Sequence, residues 1–411
     1  MLTGNNGILT RANNAKATTE DKGAEEKVKL AVMAAKSQST DGTLDADKLI
    51  DEIQNNYKGT GNKKDNGFPV TATVDGKQFR VDANGNVKAK NTDREMLEDV
   101  TSSYVDKNTK VEDEYGNIFM LPEGFKVRKD ETTNNADTVD KGIVIEDQDG
   151  NQFVWIPVGT FKKDKNETTK EEVKLGRYDF ANDGTTSNYT KNDFTEDTEK
   201  SHNNSYKNAI AKDIEDFKRK VDSNHGYYIG RYEAGVTNYD SKKTGTSNSN
   251  SETSWTGYVA ETGKELKLVC KPGQQPWNYV TQNKASELSK TMYTGKTYES
   301  DLMNSYAWDT AILFIQKCSG NTDYSRKIRL QTVPAKTGEA TDGTNKDVRC
   351  NIYDMAGNDM EWSTETYRNF DSPCVSRGGA YIFSTYNTSK RCADTMRHVS
   401  GYRSFRPLLY L

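Results

Sequence analysis

Histidine and cysteine, the side chains that most often build metal centres and nucleophilic sites, are scarce in this chain of 411 residues. The three histidines, His202, His225 and His398, are too scattered to suggest a His-based metal centre. The five cysteines include no C-x-x-C pair, and their odd number leaves at least one thiol free or paired with another chain. The sequence also lacks a G-x-S-x-G turn, a glycine-rich phosphate loop and an H-E-x-x-H helix. It therefore carries no signature of the common hydrolases, nucleotide-binding proteins or zinc proteases.

Apolar residues are also in short supply. They make up 33% of the chain, the mean hydropathy is −0.93, and no apolar run is long enough to span a bilayer as a helix. The composition predicts a core that is diluted by long polar loops. The net charge of −4 gives no reason to expect general attraction to nucleic acid or to a membrane surface.

The chain is long enough for two or three domains. Changes in composition and periodicity along it predict three segments. These are a helical N-terminal segment (1–57), a small β-meander unit with a connector (58–114), and a larger domain (115–411) with polar loop insertions at 162–205 and 237–257. Residues 58–66, at the start of the second segment, are rich in Gly, Lys and Asn and read as a linker.

Local patterns predict the elements inside these segments. In the second, alternating apolar residues are separated by Asp75-Gly76 and Asn84-Gly85, which predicts a three-stranded meander. In the third, apolar residues at helical spacing predict helices over 206–221, 283–293 and 300–317.

Residues 351–362 read N-I-Y-D-M-A-G-N-D-M-E-W, in which a Gly-Asn pair lies between carboxylates. Glycine and asparagine tolerate positive φ, so a tight turn is expected to bring Asp354 and Glu361 together. Two carboxylates with inward-pointing carbonyls suit a hard cation such as calcium. The alternative is a metal-free turn whose acids cap nearby backbone N–H groups.

Three further blocks accompany this motif: G-Y-Y-I-G-R-Y-E at 226–233, R-G-G-A-Y at 377–381 and G-Y-R-S-F-R-P-L at 401–408. Their order resembles the formylglycine-generating-enzyme family, over roughly the last two thirds of the chain. This family has a C-type-lectin-like fold, which the variable proteins of diversity-generating retroelements also use. The resemblance implies an α+β chain with a C-type-lectin-like C-terminal domain, in which helices 283–293 and 300–317 flank the sheet.

The resemblance also implies a calcium site at the 351–362 motif. The positions that match its ligands are Asp354, Gly357, Asp359 and Glu361, with the middle two acting through backbone carbonyls. The first ligand is often Asn in the family, so Asp354 departs from the pattern.

The catalytic residues of the family are incomplete here. Formylglycine generation requires two copper-binding cysteines. Cys392, in the R-C-A segment, matches one of them, but Asn387 stands where the other would be. With one thiolate missing, a two-sulfur copper site cannot form. The histidine-rich iron centre of other family members cannot be supplied by three scattered histidines. We therefore expect no catalysis.

Binding remains as the expected function. The stretch 381–398 lies between two framework blocks and corresponds to the diversified, ligand-facing segment of the variable proteins. Its Tyr, Asn, Ser, Thr and Arg residues suit a paratope, because rigid amphipathic rings alternate with adaptable hydrogen-bonding groups. The candidate ligand-binding residues are Tyr381, Phe383, Thr385, Tyr386, Asn387, Arg391, Asp394, Met396 and His398.

Strand alternation would place Tyr381, Phe383 and Thr385 on one face of this stretch. Ile382, Cys392 and Ala393 are then expected in the core. The alternative is that most of the stretch alternates between the core of a sheet and its plain outer surface.

The first twelve residues resemble the segment that follows the membrane helix in type IV pilin-like proteins of Gram-positive bacteria. If so, the apolar helix precedes Met1, and the protein is anchored at the cell surface or in a pilus. The expected partners are a protein or glycan ligand and other pilin subunits, with no nucleic acid and no membrane contact except through that missing helix. Two alternatives stay open: an enzyme of the formylglycine-generating class with altered chemistry, and a purely structural pilus subunit.

Overall fold

A computed structural model describes residues 22–411 with several gaps, and the chain divides into two compact units, Met1–Met96 and Leu97–Leu411. The gaps are 64–66, 91–92, 167, 182–184, 198–207, 244–254, 319, 321, 329–332, 342–344 and 370. The pilin-like residues 1–12 lie outside the described residues, so their predicted resemblance is left as a prediction.

From residue 22 on, the first unit packs two helices and a small antiparallel sheet around an aliphatic core. The elements are α1 (described over 22–37), α2 (Ala46–Tyr57), β1 (Thr60–Lys63), β2 (Val70–Val74), β3 (Lys77–Val81), β4 (Val87–Ala89) and the short β5 (Glu95–Met96). Helix α2 begins where the Asp45 carboxylate accepts the backbone N–H of Asp47 and of Lys48. It ends at Lys58, whose backbone is left-handed.

The sheet of the first unit has the order β1-β2-β3-β4. It confirms the meander and its first turn, where Asp75 and Gly76 both have positive φ. The expectation of a linker at 58–66 was wrong, because Thr60–Lys63 pairs with Val70–Val74 and completes the sheet.

The second unit begins before the predicted boundary at residue 115. Leu97, Val100 and Val111 are buried in its main hydrophobic core. The connector predicted over the end of segment 58–114 therefore divides at Met96, and residues 97–114 fold with the larger unit.

In the described part of the second unit there are three α-helices and many short strands. The helices are α3 (Ile214–Asn224), α4 (Gln282–Thr291) and α5 (Ser305–Cys318). The strands as far as α3 are β6 (Thr109–Glu112), β7 (Ile118–Leu121), β8 (Phe125–Arg128), β9 (Val144–Asp147), β10 (Gln152–Pro157), β11 (Gly159–Lys162), β12 (Lys170–Val173), β13 (Tyr178–Phe180), β14 (Thr186–Asn188) and β15 (Phe194–Thr195). Those after it are β16 (Gly226–Gly230), β17 (Gly235–Thr237), β18 (Tyr239–Lys242), β19 (Tyr258–Ala260), β20 (Lys267–Val269), β21 (Gln275–Pro276), β22 (Glu299–Leu302), β23 (Val348–Arg349), β24 (Ile352–Tyr353), β25 (Met360–Tyr367), β26 (Cys374–Arg377), β27 (Arg391–Asp394), β28 (Arg403–Phe405) and β29 (Pro407–Tyr410).

The largest sheet of the second unit has the order β22-β29-β16-β10-β9-β8. Strand β10 is buried along its whole length, and its Trp155 ring lies 4.9 Å from the ring of Tyr228 on β16. Helix α5 adds the buried Trp308 to the same region of core. Aromatic packing thus offsets the low apolar content of the chain.

A second sheet has the order β15-β25-β26-β27, with β28 pairing parallel to β25. Its buried side chains include Trp362 and Phe405, which belong to a separate hydrophobic cluster. The mixture of helices with mainly antiparallel sheets is compatible with the α+β class.

The helices predicted in the second unit are confirmed in place, with two changes of boundary. Helix α3 begins at Ile214, after Asp213 caps its first N–H groups, and α5 begins at Ser305 because residues 299–302 form β22. The insertion predicted at 162–205 is less loop-like than expected, since it carries β12 to β15. Most of the insertion at 237–257 lies outside the described residues.

Across the described ranges, no helix combines the length and the apolarity that crossing a bilayer requires.

Candidate functional site

The segment 381–390 is held against the 351–362 motif by two glycines. A Cβ on Gly379 would lie 2.2 Å from the carbonyl oxygen of Ala356, and one on Gly378, whose φ is +85°, would lie 2.7 Å from the carbonyl oxygen of Met355. No larger residue fits there without moving the backbone. The Tyr381 N–H then donates to the carbonyl of Asn358 at 2.8 Å. The two sequence blocks therefore fix where the segment leaves the core.

The segment itself is a series of turns and not a strand. A single bridge joins Ala380 to Phe383, so the expected alternation along Tyr381, Phe383 and Thr385 does not apply. The expectation of a core position for Ile382 was wrong: the turn directs this side chain outward, and 45% of it is exposed.

Aromatic rings cluster on this turn. The rings of Phe383 and Tyr386 stack with centroids 4.4 Å apart and an angle of 30°. The Tyr402 ring meets Phe383 edge-on at 5.3 Å, and the Lys390 ammonium lies 4.8 Å from the Tyr386 centroid. All three aromatic side chains are partly exposed, and Thr385 beside them is exposed.

Two further tyrosines extend the cluster. Burial raises the pKa of Tyr381, and the nearby Asp359, Tyr279 and Tyr402 add to this effect. Tyr279 is fixed through its backbone N–H, which donates to the Ser400 carbonyl at 2.9 Å. We call the partly exposed rings of Tyr279, Tyr381, Phe383, Tyr386 and Tyr402 the aromatic face. Asn387, half-buried, belongs to the same turn as Tyr386.

Two members of the aromatic face were not predicted from the sequence. Tyr402 lies in the G-Y-R-S-F-R-P-L block and could have been found there, as a ring next to a glycine. Tyr279 carried no signal, because it lies far from the 381–398 stretch in sequence and reaches it through the fold.

Arg391, a predicted ligand-binding residue, is buried in an ion network. It donates to Glu365 at 2.9 Å and to Asp309 on α5 at 2.6 Å, with only 9% of its side chain exposed. Arg377 binds the same two acids, and Arg177 binds Glu365. Burial alone would raise the pKa of Glu365, but Arg391, Arg377 and Arg177 lower it to about 2. The guanidinium of Arg391 therefore stabilises the buried structure and is not part of an exposed binding surface.

Asp394, Met396 and His398 also point into the protein. Asp394 pairs with Arg403 and accepts from His398 Nδ1 at 3.0 Å. Met396 packs in the cluster that contains Trp362. The His398 ring lies 6.4 Å from the Tyr402 ring, and the Arg403 guanidinium lies 5.2 Å from it, so this group contacts the aromatic face through Tyr402. Cys392 and Ala393, expected in the core, are half-buried on the edge strand β27.

The four predicted calcium ligands lie directly beneath this region. Asn358 has positive φ, as the Gly-Asn pair predicts, but Gly357 does not, and Asp354 does instead. The Gly357 N–H donates to the Asp354 carbonyl at 3.2 Å. Glu361, however, accepts a bidentate pair of hydrogen bonds from Arg406, one from Nε at 2.9 Å and one from Nη2 at 2.6 Å. Its two oxygens are therefore already bound to a cation, which weakens its fit as a calcium ligand.

Asp354 and Asp359 are also buried, and few hydrogen bonds compensate their carboxylates for the loss of water. Asp354 accepts the Gly338 N–H through Oδ2 at 2.7 Å, and Asp359 accepts from Asn278 through Oδ2 at 3.3 Å. The Oδ1 atom of each has no hydrogen-bond partner among the described residues. Burial raises the pKa of Asp359 to about 8 and that of Asp354 well above its ordinary value. Within the described ranges, no group of three or more His, Cys, Asp or Glu side chains converges as metal ligands would.

Comparisons with known proteins add little to this geometry. No family model matches the sequence, and no curated protein matches it. A solved crystal structure, that of CarF, aligns with 45% of this chain and with 87% of its own, at 14% sequence identity and a TM-score of 0.31. A likeness this weak carries no argument about fold or function.

Proposed function

We propose that this chain is a non-catalytic, surface-displayed binding protein that captures a protein or glycan ligand on its aromatic face. The observation that carries the proposal is the stacked Phe383–Tyr386 pair, partly exposed on a turn that a rigid buried frame holds in place. Natural binding surfaces concentrate their energy in a few such aromatic anchors.

The buried structure behind the aromatic face favours specific recognition over nonspecific adhesion. Two glycines fix the chain just before the turn, and the Arg391 ion network and the Asp394–Arg403 pair fix it just after the turn. A preorganised surface loses little conformational entropy when it binds. Tyrosine rings combine apolar area with a hydroxyl, which suits both a protein surface and the faces of sugar rings.

We place the face on a C-type-lectin-like domain of a retroelement-type variable protein, with a pilin-like N-terminus that anchors it at the surface of a Gram-positive bacterium or in its pilus. The sequence blocks are the basis for this assignment. Helices α4 and α5, formed where the resemblance predicts the flanking pair, support it.

The alternative function, that of a copper enzyme, has little support from the residues that would bind the copper. Cys392 Sγ contacts Asp394 and Arg403, and Asn387 supplies no second thiolate. The reading as a purely structural pilus subunit differs in its consequence, since it predicts no ligand beyond copies of this chain.

Calcium remains part of the proposal as a cofactor. Asp354 presents a buried carboxylate oxygen without a hydrogen-bond partner among the described residues, and calcium prefers carboxylate and carbonyl oxygens. The backbone carbonyls of Gly357 and Asp359 would be the next donors, and Glu361 would contribute only if it left Arg406.

Capture assays with matched variants test the binding function. The full chain is applied to a glycan array and to an array of extracellular bacterial and host proteins, beside Phe383→Ala/Tyr386→Ala and Ile118→Ala. Ile118 is an exposed apolar residue on β7 and serves as the control. We expect captured spots that survive Ile118→Ala and lose about 2 kcal/mol or more per anchor in the double variant. If the double variant binds the same spots as strongly as the wild type, the binding site lies elsewhere on the protein.

A further inference from the structure

The rings of the aromatic face form a row, and a lysine lies at one end of it. The Lys390 ammonium is 4.8 Å from the ring centroid of Tyr386, a distance within the range of cation–π attraction. The Tyr386 ring stacks on Phe383 at 4.4 Å, and Phe383 meets the Tyr402 ring at 5.3 Å. The row therefore runs from Lys390 through three rings to Tyr402.

A second lysine lies at the other end of the row. A Cβ on Gly401 would lie 2.8 Å from the hydroxyl oxygen of Tyr279, so the Tyr279 ring packs on the residue next to Tyr402. The Lys242 ammonium is 4.8 Å from the Tyr279 ring centroid. Lys242 is exposed and Lys390 is half-buried. Each end of the row thus carries an ammonium that sits over a ring.

These two charges are not balanced by neighbouring acids. Within the described part of the chain, neither Lys242 nor Lys390 is within salt-bridge distance of a carboxylate. Asp394, behind the row, is already paired with Arg403, and Asp359, beneath it, is only 1% exposed. The charge that these groups offer to a ligand is therefore positive.

We propose that the ligand of the aromatic face is an acidic glycan, whose sugar rings lie on the aromatic rings and whose carboxylates pair with Lys390 and Lys242. Charge complementarity favours an anionic ligand. An acidic protein fits less well, because lysine is depleted from the interfaces that proteins form with one another. This inference rests on the proposed binding function and names the class of its ligand.

Rings and lysines contribute to glycan binding in different ways. A partly exposed tyrosine offers an apolar face to the C–H groups of a sugar and a hydroxyl to its O–H groups. A lysine ammonium is a compact charge on a flexible stem, so it can follow a carboxylate without the fixed geometry of a guanidinium. Pairing between exposed charges is screened by salt, so the affinity should fall as the ionic strength rises.

A matched pair of tetrasaccharides tests the role of charge. Cellotetraose and β-1,4-linked tetraglucuronate share one backbone, and the second carries carboxylates where the first carries CH2OH groups. We expect calorimetric titration of the full chain at low salt to show at least tenfold tighter binding of tetraglucuronate. Capped tetraglutamate, which has the carboxylates but no sugar rings, should bind at least tenfold more weakly than tetraglucuronate does.

Three variants locate the charges. Lys390→Met and Lys242→Met keep the apolar stem and remove the ammonium, so each should weaken tetraglucuronate binding at least threefold while any binding of cellotetraose is unchanged. Lys107→Met, at an exposed lysine ahead of β6, is the control and should leave both affinities unchanged.

Three results would overturn the proposal: equal affinity for the two tetrasaccharides, tighter binding of tetraglutamate, or no binding of tetraglucuronate up to millimolar concentration. Each of these leaves the capture of ligands by Phe383 and Tyr386 to be judged by its own assay, because that assay does not require the ligand to be acidic.

Discussion

The two halves of the stretch 381–398 are both largely polar in sequence and differ in the structure. All three aromatic residues of the stretch lie in the first half, and the second half carries most of its charged residues. In the first half, 381–390, the backbone forms turns, and side chains such as Phe383 and Tyr386 are partly exposed. In the second, 391–398, Arg391 and His398 are turned inward and satisfied by other side chains. Polarity alone therefore does not identify a binding surface; what matters is whether the fold supplies a partner for each charge.

The partners of the second half come from distant parts of the chain. Asp309 is on α5 and Glu365 is on β25, 82 and 26 residues from Arg391 in sequence. Together these charges join the edge of the second sheet to the helix. The contacts recorded for the first half are mainly between rings: Phe383 stacks on Tyr386 and meets Tyr402 edge-on.

The largest effect is expected from removing one member of the ion network. Arg391→Met should lower the free energy of unfolding by about 3–5 kcal/mol, because Asp309 and Glu365 would lose a cation in a buried setting. Lys390→Met is the matched neighbour, whose ammonium lies over the half-exposed Tyr386, and should cost about 1 kcal/mol or less. Urea unfolding of both variants measures the difference. Equal losses would remove the distinction between the two halves.

Local chemistry could be predicted from the sequence, and long-range pairing could not. The Asp75-Gly76 turn and the three helices of the second unit follow from spacing and turn residues within a few positions. The burial of Arg391 depends on acids in other elements, and the place of Tyr279 in the aromatic face depends on its contact with residues 400–401. Nothing within a short window of sequence carries that information.

The second test asks whether bound calcium supplies the positive charge that would balance the buried acids. If calcium binds through Asp354, excess EDTA should lower the melting temperature, since an ion at 100 times its dissociation constant stabilises the folded state by about 2.7 kcal/mol. Differential scanning calorimetry with EDTA and with calcium in excess measures the shift. Asp354→Ala should abolish it, whereas Asp222→Ala, at an exposed position of α3, should keep it. An identical melting temperature with and without EDTA in the wild type would end the calcium proposal.

The third test concerns protons on the acid under the aromatic face. In the absence of calcium, burial raises the pKa of Asp359 from 3.8 to about 8 in the folded protein. A raised folded pKa contributes stability that is complete below the unfolded pKa and is lost as the pH rises through the folded value. The free energy of unfolding should therefore fall between about pH 4 and pH 8, by up to about 1.4 kcal/mol per pH unit for one proton.

Asp359→Asn should reduce this slope, and the exposed-site variant Asp222→Asn should leave it unchanged. A residual slope is expected in Asp359→Asn, because burial also raises the pKa of Glu196 to about 7 and that of Asp301 to about 6. Urea titrations in EDTA at pH 5, 6, 7 and 8 provide the measurement. An unchanged slope in Asp359→Asn would mean that this acid is charged in the folded protein at every pH tested.

The smallest effect on stability is expected at the residues proposed to matter most for binding. Phe383 and Tyr386 are partly exposed and stack mainly on each other, so their joint replacement by alanine should cost about 0.5–1.5 kcal/mol. Phe405→Ala, at a fully buried ring of the neighbouring cluster, should cost about 3–5 kcal/mol in the same urea titration. A double variant that loses as much as Phe405→Ala would place both rings in the core. Lost ligand capture would then report unfolding, and the binding face would have to be sought among the remaining rings, Tyr279, Tyr381 and Tyr402.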